Sequence, residues 1–338
     1  MRRTVFVLLA LALPAAGVVA ALFLPGIAPP RTVTNSGRTI HEIYWVAFGL
    51  AALVFVLVEA TLLAFIVRFR RRRDTPEGLE GPQIHGNTRI EIIWTLIPAA
   101  LLLALAIYTF ARVPAVEANP PASATEAGEA LEIEVTARQF YWQYEYPNGA
   151  LSYDALYVPV DTPVTLVLRS TDVAHSWWVP DLSGKRDAIP GRVNRINFRA
   201  TETGVLEHGV CGEFCGTQHA RMTTDAEVLN RDEFDRWLTD NEPPLADDAT
   251  LALGETQWAA ACAKCHGLAG EGGYGPPVAG NGTLTNADAL RQLLYEGQDL
   301  EGNEGYMPPV GRGWTDEQIQ ALIAYVESSP DLAPGGGR

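Results

Sequence analysis

The chain contains little sulfur for its length, with four cysteines and three methionines among 338 residues. All four cysteines fall into two short motifs, Cys211-Gly-Glu-Phe-Cys215 and Cys262-Ala-Lys-Cys265-His266, so no thiol is left for a structural role elsewhere. Met222 and Met307 are the only methionines after the initiator, and each stands where a soft metal ligand would be wanted. The shortage of sulfur therefore directs attention to two candidate metal sites.

Positive charge is also scarce. The chain has 25 Lys and Arg against 40 Asp and Glu, which gives a net charge of −15. From residue 250 onwards the chain has 4 Lys and Arg against 11 Asp and Glu. Acidity of this kind is mainly a solubility feature, and it argues against a nucleic-acid partner.

The motif Cys262-Ala-Lys-Cys265-His266 matches the attachment pattern of a c-type haem, in which two thiols form thioethers and the histidine ligates the iron. A Cys-x-x-Cys pair alone also suits a redox pair or half of a zinc site. Met307 lies 41 residues after His266 and is predicted to be the second axial ligand, although a lone methionine is usually core filler. A His/Met pair leaves no open coordination site, which favours electron transfer.

The other motif continues as Cys211-x3-Cys215-x3-His219-x2-Met222, with His175 as a further candidate ligand upstream. Thiolate, imidazole and thioether form a soft ligand set that suits copper. Two thiolates are enough to bridge two copper ions. A lone disulfide and a zinc knuckle remain the alternatives.

Residues 1–24 have the features of a signal peptide. Met1-Arg2-Arg3 precedes an apolar run, and cleavage is expected near Ala20. An N-terminal anchor that is not cleaved is the alternative. No cysteine lies near the run, which excludes a lipoprotein anchor.

Residues 40–112 are predicted to form a transmembrane hairpin, with helices at about 43–67 and 92–111. The run from Arg68 to Arg73 separates them. Such a run is often a solvated patch, but directly after an apolar span the positive-inside rule makes it a cytoplasmic anchor. Everything after about Pro114 would then lie on the outer face.

The outer part divides by composition into a linker up to residue 129, a β-rich domain at 129–239, a second linker at 240–249, a helical domain at 250–329 and a flexible tail at 330–338. In the β-rich domain, short β-type runs alternate with turn signals, which predicts an antiparallel sandwich of the cupredoxin kind. The runs are Leu131–Thr136, Phe140–Tyr146, Val164–Leu168 and Arg195–Phe198. In the helical domain, the predicted helices are Leu251–His266, Asn286–Glu296 and Thr315–Glu327, the last one capped by Thr315.

Three stretches resemble the copper-bearing subunit II of haem-copper cytochrome c oxidases: His175-Ser-Trp-Trp-Val-Pro180, Lys185-Arg-Asp-Ala-Ile-Pro-Gly191 and Cys211-Gly-Glu-Phe-Cys-Gly-Thr-Gln-His-Ala-Arg-Met222. The resemblance covers about residues 40–240. The helical tail resembles a small class I cytochrome c, so the chain is similar to the cytochrome-fused subunit II of caa-type oxidases. The expected fold is a multidomain membrane protein with a two-helix transmembrane hairpin, an all-β cupredoxin sandwich and an all-α cytochrome c domain.

The resemblance implies a binuclear CuA centre. Its bridging thiolates would be Cys211 and Cys215, and its terminal imidazoles His175 and His219. Its weak ligands would be Met222 and the carbonyl of Glu213. The Glu213 side chain is expected to reach a magnesium ion shared with subunit I.

The resemblance also implies roles beyond the metal ligands. Glu91, in Ile90-Glu-Ile-Ile-Trp-Thr95, matches a glutamate at the mouth of a proton channel into subunit I, although it also suits a plain interfacial carboxylate. Glu59 lies inside the first span and is expected to face protein. The carbonyl of the Gly275-Pro276 turn is expected to orient the proximal imidazole.

The chain departs from the family at Gln139-Phe-Tyr-Trp142, where the family usually has Gln-Trp-Tyr-Trp. The replaced tryptophan is associated with electron uptake from soluble cytochrome c, so Phe140 puts that docking route in doubt. Tyr141 and Trp142 are expected to form an aromatic patch over the copper loop. The short second linker would tether the haem domain nearby, so that docking needs little affinity.

The expected function is that of subunit II of a terminal cytochrome c oxidase. Electrons would pass from a respiratory donor, either cytochrome c or a cytochrome bc complex, through haem c and CuA to the catalytic subunit I, where dioxygen is reduced to water with proton pumping. The expected location is a bacterial plasma membrane, with both metal domains on the outer face. The alternatives are the small subunit of a CuA-containing nitric oxide reductase and a free-standing membrane-tethered electron carrier.

Overall fold

A computed structural model of the chain describes residues 12, 14–20, 22–23, 29, 31–69, 83, 85–117, 130–242, 247–299 and 306–334. Most of the expected signal peptide, Arg70–Arg73, most of the first linker, 243–246 and the last four residues lie outside the described residues. The chain divides into two compact units. One comprises Met1–Arg31 and Arg38–Ala115, and the other comprises Thr32–Gly37 and Val116–Arg338.

The first unit contains two long apolar helices, α1 at Asn35–Phe69 and α2 at Thr88–Glu117. Both are long and apolar enough to cross a membrane, with mean hydropathies of 2.7 and 2.3 over their best windows. They enclose the expected spans but extend further at both ends. Hydropathy marks only the apolar centre of a span, whereas the backbone hydrogen bonds of a helix continue through its polar ends.

The β-rich domain of the second unit contains ten strands in its described residues, which form two five-stranded sheets. The strands are β1 Leu131–Arg138, β2 Tyr141–Glu145, β3 Leu151–Tyr153, β4 Ala155–Pro159, β5 Val164–Ser170, β6 His175–Trp178, β7 Arg186–Ala188, β8 Asn194–Phe198, β9 Gly204–Cys211 and β10 Thr223–Leu229. The sheet orders are β3-β2-β1-β5-β8 and β4-β10-β9-β6-β7. Trp177 of β6 stacks on Phe198 of β8 with ring centroids 6.3 Å apart, so the two sheets share one core.

The expectation of a purely antiparallel sandwich is wrong in two places. β1 pairs with β5 in parallel, and β4 pairs with β10 in parallel. Alternating apolar residues identify a strand and its buried face, but they carry no information about the direction of a partner far along the chain. The cupredoxin-like architecture of two packed sheets is confirmed.

Helices follow the sandwich. They are α3 Arg231–Asp240, α4 Asp247–Gln257, α5 Ala263–His266, α6 Ala287–Glu296 and α7 Asp316–Ser328. Between α4 and α5 the chain widens into a π-helical turn at Trp258–Cys262. A short pair of strands, β11 Gln298–Asp299 and β12 Tyr306–Met307, precedes α7. The Thr315 side chain accepts a hydrogen bond from the backbone of Gln318, which confirms Thr315 as the cap of α7.

The helical domain is in direct contact with the β-sandwich. Helix α4 begins at Asp247, inside the expected linker, and its domain packs against the sandwich. Tyr141 and Tyr153 of the sandwich belong to the same buried cluster as Trp258 and Trp314 of the helical domain. Aromatic side chains bury large apolar areas at such a contact. Composition alone could not reveal that the two domains share a core, because it does not show which residues of different domains touch.

Candidate metal centres

The expected copper ligands come from neighbouring strands of one sheet. His175 opens β6, Cys211 closes β9, and Met222 stands immediately before β10. Strand β6 pairs with β9, which places Trp177 opposite Cys211. The Cys211 amide donates to the Met222 carbonyl at 2.9 Å, so the loop that carries Cys215 and His219 is closed at its base.

The ligand atoms lie close together, and four of the six residues, His175, Cys211, Cys215 and Met222, are buried. Those of His175, Cys211 and Cys215 are all within 4.8 Å of one another. The His175 Nδ1 atom is 3.2 Å from the Met222 sulfur, the two cysteine sulfurs are 4.0 Å apart, and the His219 Nδ1 atom is 3.5 Å from the Cys215 sulfur. The Glu213 carbonyl is 3.2 Å from the Cys211 sulfur, whereas the Glu213 residue is exposed. The loop therefore brings the six expected donors together.

Asp172 orients His175, and sequence reasoning missed it. The Asp172 carboxylate accepts a hydrogen bond from His175 Nε2 at 2.8 Å, which leaves Nδ1 as the lone pair that faces the sulfur atoms. Burial favours the neutral form of both groups. The hydrogen bond between them, with other bonds, outweighs burial, so the pKa of Asp172 is lowered and the pKa of His175 is raised. The sequence signal that could have identified Asp172 was its position three residues before His175, an expected copper ligand.

The two thiols of the copper loop are electrostatically coupled. Their mutual hydrogen bond lowers the pKa of Cys211 and raises the pKa of Cys215. A pair that shares one proton in this way has the donor chemistry to release it when a metal binds. The mixture of thiolate, imidazole, thioether and carbonyl donors fits copper.

Three of the four expected haem-binding residues line a cavity of about 360 Å³: Cys265, His266 and Met307, which lies in β12. Cys262 is buried and is not one of the lining residues. His266 Nδ1 donates to the Pro276 carbonyl at 2.7 Å, so the expected orienting turn is confirmed. A Cβ atom on Gly275 would come within 2.9 Å of the imidazole, and only glycine permits this approach. Both expected axial ligands therefore line the same space.

The haem motif sits at the end of the π-helical turn. Cys262 is buried, and burial raises the pKa of its thiol to about 12. Cys265 is half-buried, and burial also raises the pKa of its thiol. At physiological pH both of these thiols are therefore neutral, whereas the two thiols of the copper loop share one proton.

The sandwich supplies part of the wall of the haem cavity. Gln139, Phe140, Gly216 and Thr217 line it together with the helical-domain residues. Gln139 Nε2 donates to the Cys215 carbonyl at 2.6 Å. The same stretch of chain therefore borders the haem cavity and contacts the copper loop, which no spacing in the sequence could show.

The aromatic patch expected at Tyr141 and Trp142 is not a surface feature. Both side chains are fully buried. Tyr141 donates to the Val310 carbonyl and accepts from Trp314 Nε1 at 2.9 Å, while Trp142 lies in the core of the sandwich. Successive residues of β2, which lies between β3 and β1, are buried on both faces of the sheet, because the helical domain covers the outer face.

The two membrane carboxylates lie in the first unit. The Glu91 carboxylate accepts from the Asn87 amide at 3.0 Å, so it caps the first turn of α2. The half-buried Glu59 lines an apolar cavity with Phe48 and Phe55.

Family models match three parts of the chain. "Cytochrome C oxidase subunit II, transmembrane domain" matches residues 31–111, and "Cytochrome C oxidase subunit II, periplasmic domain" matches residues 151–228. "Cytochrome C oxidase, cbb3-type, subunit III" matches residues 249–326. The helices, the sandwich and the helical domain each fall under one of these descriptions.

Among characterised relatives, "Cytochrome c oxidase subunit 2" of Alkalihalophilus pseudofirmus OF4 is 35% identical over 91% of this chain and 94% of its own length. The protein of the same description from Bacillus sp. PS3 is 29% identical over 76% of this chain and 79% of its own. A solved periplasmic domain of cytochrome oxidase subunit II from Bradyrhizobium japonicum is 31% identical and covers 34% of this chain and 96% of its own, with a TM-score of 0.33.

These matches define a membrane-bound component of an oxidoreductase complex that has an outer domain. The chain belongs to the cytochrome c oxidase subunit II family, and it carries a fused C-terminal cytochrome c domain.

Proposed function

We propose that this subunit passes electrons from a respiratory donor through haem c and binuclear CuA to catalytic subunit I, which reduces dioxygen to water with proton pumping. The observation that carries the proposal is the shared wall between the two sites. Gln139 and Phe140 line the haem cavity, and the Gln139 side chain holds the carbonyl of Cys215 in the copper loop.

The helical domain would hold the haem through its own residues. Cys262 and Cys265 would attach it covalently, His266 and Met307 would ligate the iron, and the Pro276 carbonyl, which accepts from His266 Nδ1, would fix the imidazole. A haem with His and Met ligands would supply a one-electron couple with no open site for dioxygen.

The copper loop would hold two copper ions. Cys211 and Cys215 offer the bridging sulfurs, His175 and His219 the imidazoles, and Met222 and the Glu213 carbonyl the weak donors, as the distances among them support. The bridged copper pair supplies a one-electron couple whose charge is shared between two ions. Asp172 keeps His175 in the tautomer that ligates through Nδ1. The exposed Glu213 side chain is proposed to reach a magnesium ion at the contact with subunit I.

The domain limits that we propose are 40–112 for the hairpin, 129–239 for the copper domain and 250–329 for the haem domain. The proposed location is the plasma membrane of a bacterium, with both metal domains outside. Cytochrome c or a cytochrome bc complex would be the donor, and the acidic haem domain would favour a basic donor surface.

Co-purification from membranes tests the function. We expect two coppers and one haem c per chain, together with a catalytic subunit whose visible spectrum shows haem a. A chain that purifies alone would instead be a free-standing carrier. A partner with only b-type haem and nitric oxide reductase activity would identify the chain as the small subunit of a CuA-containing nitric oxide reductase.

Proton uptake through Glu91 is a separate part of the proposal, because Glu91 also caps α2. Glu91→Gln keeps a side-chain oxygen for the Asn87 amide but cannot carry a proton. In the assembled oxidase, we expect it to slow dioxygen uptake while the rate of copper reduction, followed by stopped flow, stays unchanged. Asn87→Ala keeps the backbone amide that bonds Glu91 but removes the other bond at the start of α2, in which Asn87 Oδ1 accepts from the Ile90 amide at 3.3 Å, and it is the matched control for a weakened helix start. Unaltered turnover in Glu91→Gln would reduce Glu91 to a capping residue.

A further inference from the structure

Lys264 stands between the two haem-binding cysteines and is one of only two lysines in the chain. Its side chain turns away from its own domain. The Nζ atom donates to the Asp154 carboxylate at 2.7 Å and to the Phe140 carbonyl at 2.8 Å, and both partners belong to the copper domain. The side chains of Lys264 and Asp154 are 17% and 20% exposed, so the pair is largely removed from water.

The backbone of Lys264 is held from the same direction. Arg221 Nη1 donates to the Lys264 carbonyl at 2.7 Å. Arg221 directly precedes Met222, the sulfur of which lies 3.7 Å from the Cys215 sulfur. Lys264 therefore makes hydrogen bonds to the copper domain through both its side chain and its backbone carbonyl. The backbone bond comes from Arg221, which is next to the proposed copper ligand Met222.

The bond to Phe140 leads to the copper loop by a second path. Gln139, the neighbour of Phe140, donates from its side chain to the Cys215 carbonyl and from its amide to Asp172, each at 2.6 Å. Asp172 in turn holds His175. The segment that receives the lysine is thus fixed to two parts of the copper site.

Asp154 is built into a position that suits this contact. It occupies the tight turn between β3 and β4 with a φ of +54°, a conformation that aspartate and asparagine tolerate better than most residues. Its other carboxylate oxygen accepts from the Trp142 amide at 2.9 Å. Removing the lysine would leave a largely buried carboxylate without its counter-charge, which is costly.

Further hydrogen bonds between the two domains favour one orientation. The Tyr153 hydroxyl accepts from Gln318 at 2.6 Å and from Gln257 at 3.3 Å, and Arg138 donates to the Arg312 carbonyl at 3.1 Å. A rotation of the haem domain would break these bonds and expose the buried tyrosines. A freely swinging haem domain is therefore excluded by the cost of unpaired buried groups.

We propose that Lys264 is a positioning residue that docks the haem-attachment segment on the copper loop through Asp154, Phe140 and Arg221, and so fixes one geometry for electron transfer between the two centres. The inference rests on the proposed function. The step that it serves moves one electron, so the haem is oxidised as the copper pair is reduced, and no bond forms or breaks.

Four variants of the assembled oxidase test the role of the lysine. Lys264→Met removes the cation, Lys264→Arg keeps it, and Asp154→Asn removes the counter-charge from the copper domain without touching the haem motif. Arg291→Met removes a cation–carboxylate pair with Asp316 that lies within the haem domain, and it is the matched control. Haem and copper content and both absorption spectra are measured first.

The first measurement is the rate of haem-to-copper electron transfer after photochemical reduction of the haem. Electron transfer slows as the distance between two centres increases, so we expect Lys264→Met and Asp154→Asn each to be slower by severalfold. The double variant should be no slower than the singles, because both remove one contact. Lys264→Arg should recover part of the rate, and Arg291→Met should match the wild type.

The second measurement is hydrogen exchange by mass spectrometry on the full chain. We expect peptides that contain Phe140 and Tyr141 to lose protection in Lys264→Met and Asp154→Asn but not in Arg291→Met. Wild-type rates and protection in both variants would overturn the docking role. A wild-type protein that lacks either metal, or in which no electron passes between them, would refute the proposed function instead, while hydrogen exchange would still decide the docking.

Discussion

The proposed copper loop and the proposed haem cavity have different architectures, although each is proposed to hold a redox centre. In the copper loop, side chains from two paired strands and one short turn already touch one another, with His175 Nδ1 only 3.2 Å from the Met222 sulfur. In the helical domain, His266 and Met307 both line a cavity. A small ion needs donors that converge, whereas a large macrocycle needs space and an attachment point.

The difference extends to the supports of the two sites. The proposed copper ligands are anchored by strand pairing and by Asp172, so their arrangement is a property of the sandwich itself. The haem cavity is closed partly by another domain, through Phe140 and Gly216. We therefore expect the copper site to respond to changes within its loop and the haem site to respond also to changes at the domain contact.

The largest effect should come from Cys211→Ser, which leaves one thiolate where two are needed to bridge. We expect loss of the copper pair, and a looser loop because metal affinity contributes to folding stability. Copper per chain and the near-infrared band of the pair are the measurements. Ala220→Ser changes an exposed residue of the same loop and should keep both. Two coppers and an unchanged band in Cys211→Ser would refute the binuclear assignment.

Met307→Ala should act on the haem alone. Loss of the thioether opens a coordination site and lowers the haem potential, because methionine ligation raises it. A redox titration followed at the haem absorption band measures the shift, and the copper band is the internal control. The haem should then accept electrons from the donor less readily. An unchanged potential would mean that Met307 is not an axial ligand.

The domain contact should show a pH dependence through Asp154. Burial raises the pKa of Asp154 from 3.8 to about 6, although Lys264 opposes the rise. A carboxyl with a raised pKa in the folded state stabilises the fold below the unfolded pKa, and that stability is lost as pH rises. Between about pH 4 and 6 we expect the unfolding free energy to fall by up to about 3 kcal/mol. Denaturation of the purified chain at several pH values measures the slope, and Asp154→Asn should flatten it. An equally steep slope in that variant would assign the dependence to other groups.

The smallest effect should come from Asp172→Asn, which keeps the shape of the side chain but weakens its hold on His175. Loss of such an outer partner typically costs about tenfold to a hundredfold in metal affinity. Competition with a copper chelator measures the affinity. The haem spectrum should stay the same, since Asp172 is not one of the residues that line the haem cavity. Wild-type copper affinity would show that the strands alone fix the imidazole.

Much of the site could be predicted because its signals are local in the chain. The ligands of the copper loop span Cys211 to Met222, the haem motif spans five residues, and the cap at Thr315 depends on its next three residues. Short spacings restrict the positions that side chains can reach, whatever the rest of the chain does. The approximate membrane spans followed from apolar length in the same way.

The sequence by itself determined the donor types, their spacing and the order of the domains. Only the tertiary structure decided that β1 pairs with β5 in parallel, that Tyr141 is buried under a second domain and that Lys264 reaches Asp154 across 110 residues of chain. These contacts join segments that are far apart in sequence, and their geometry depends on the path of the whole backbone. A local pattern carries no information about that path, so the joint between the two metal sites could be found only in three dimensions.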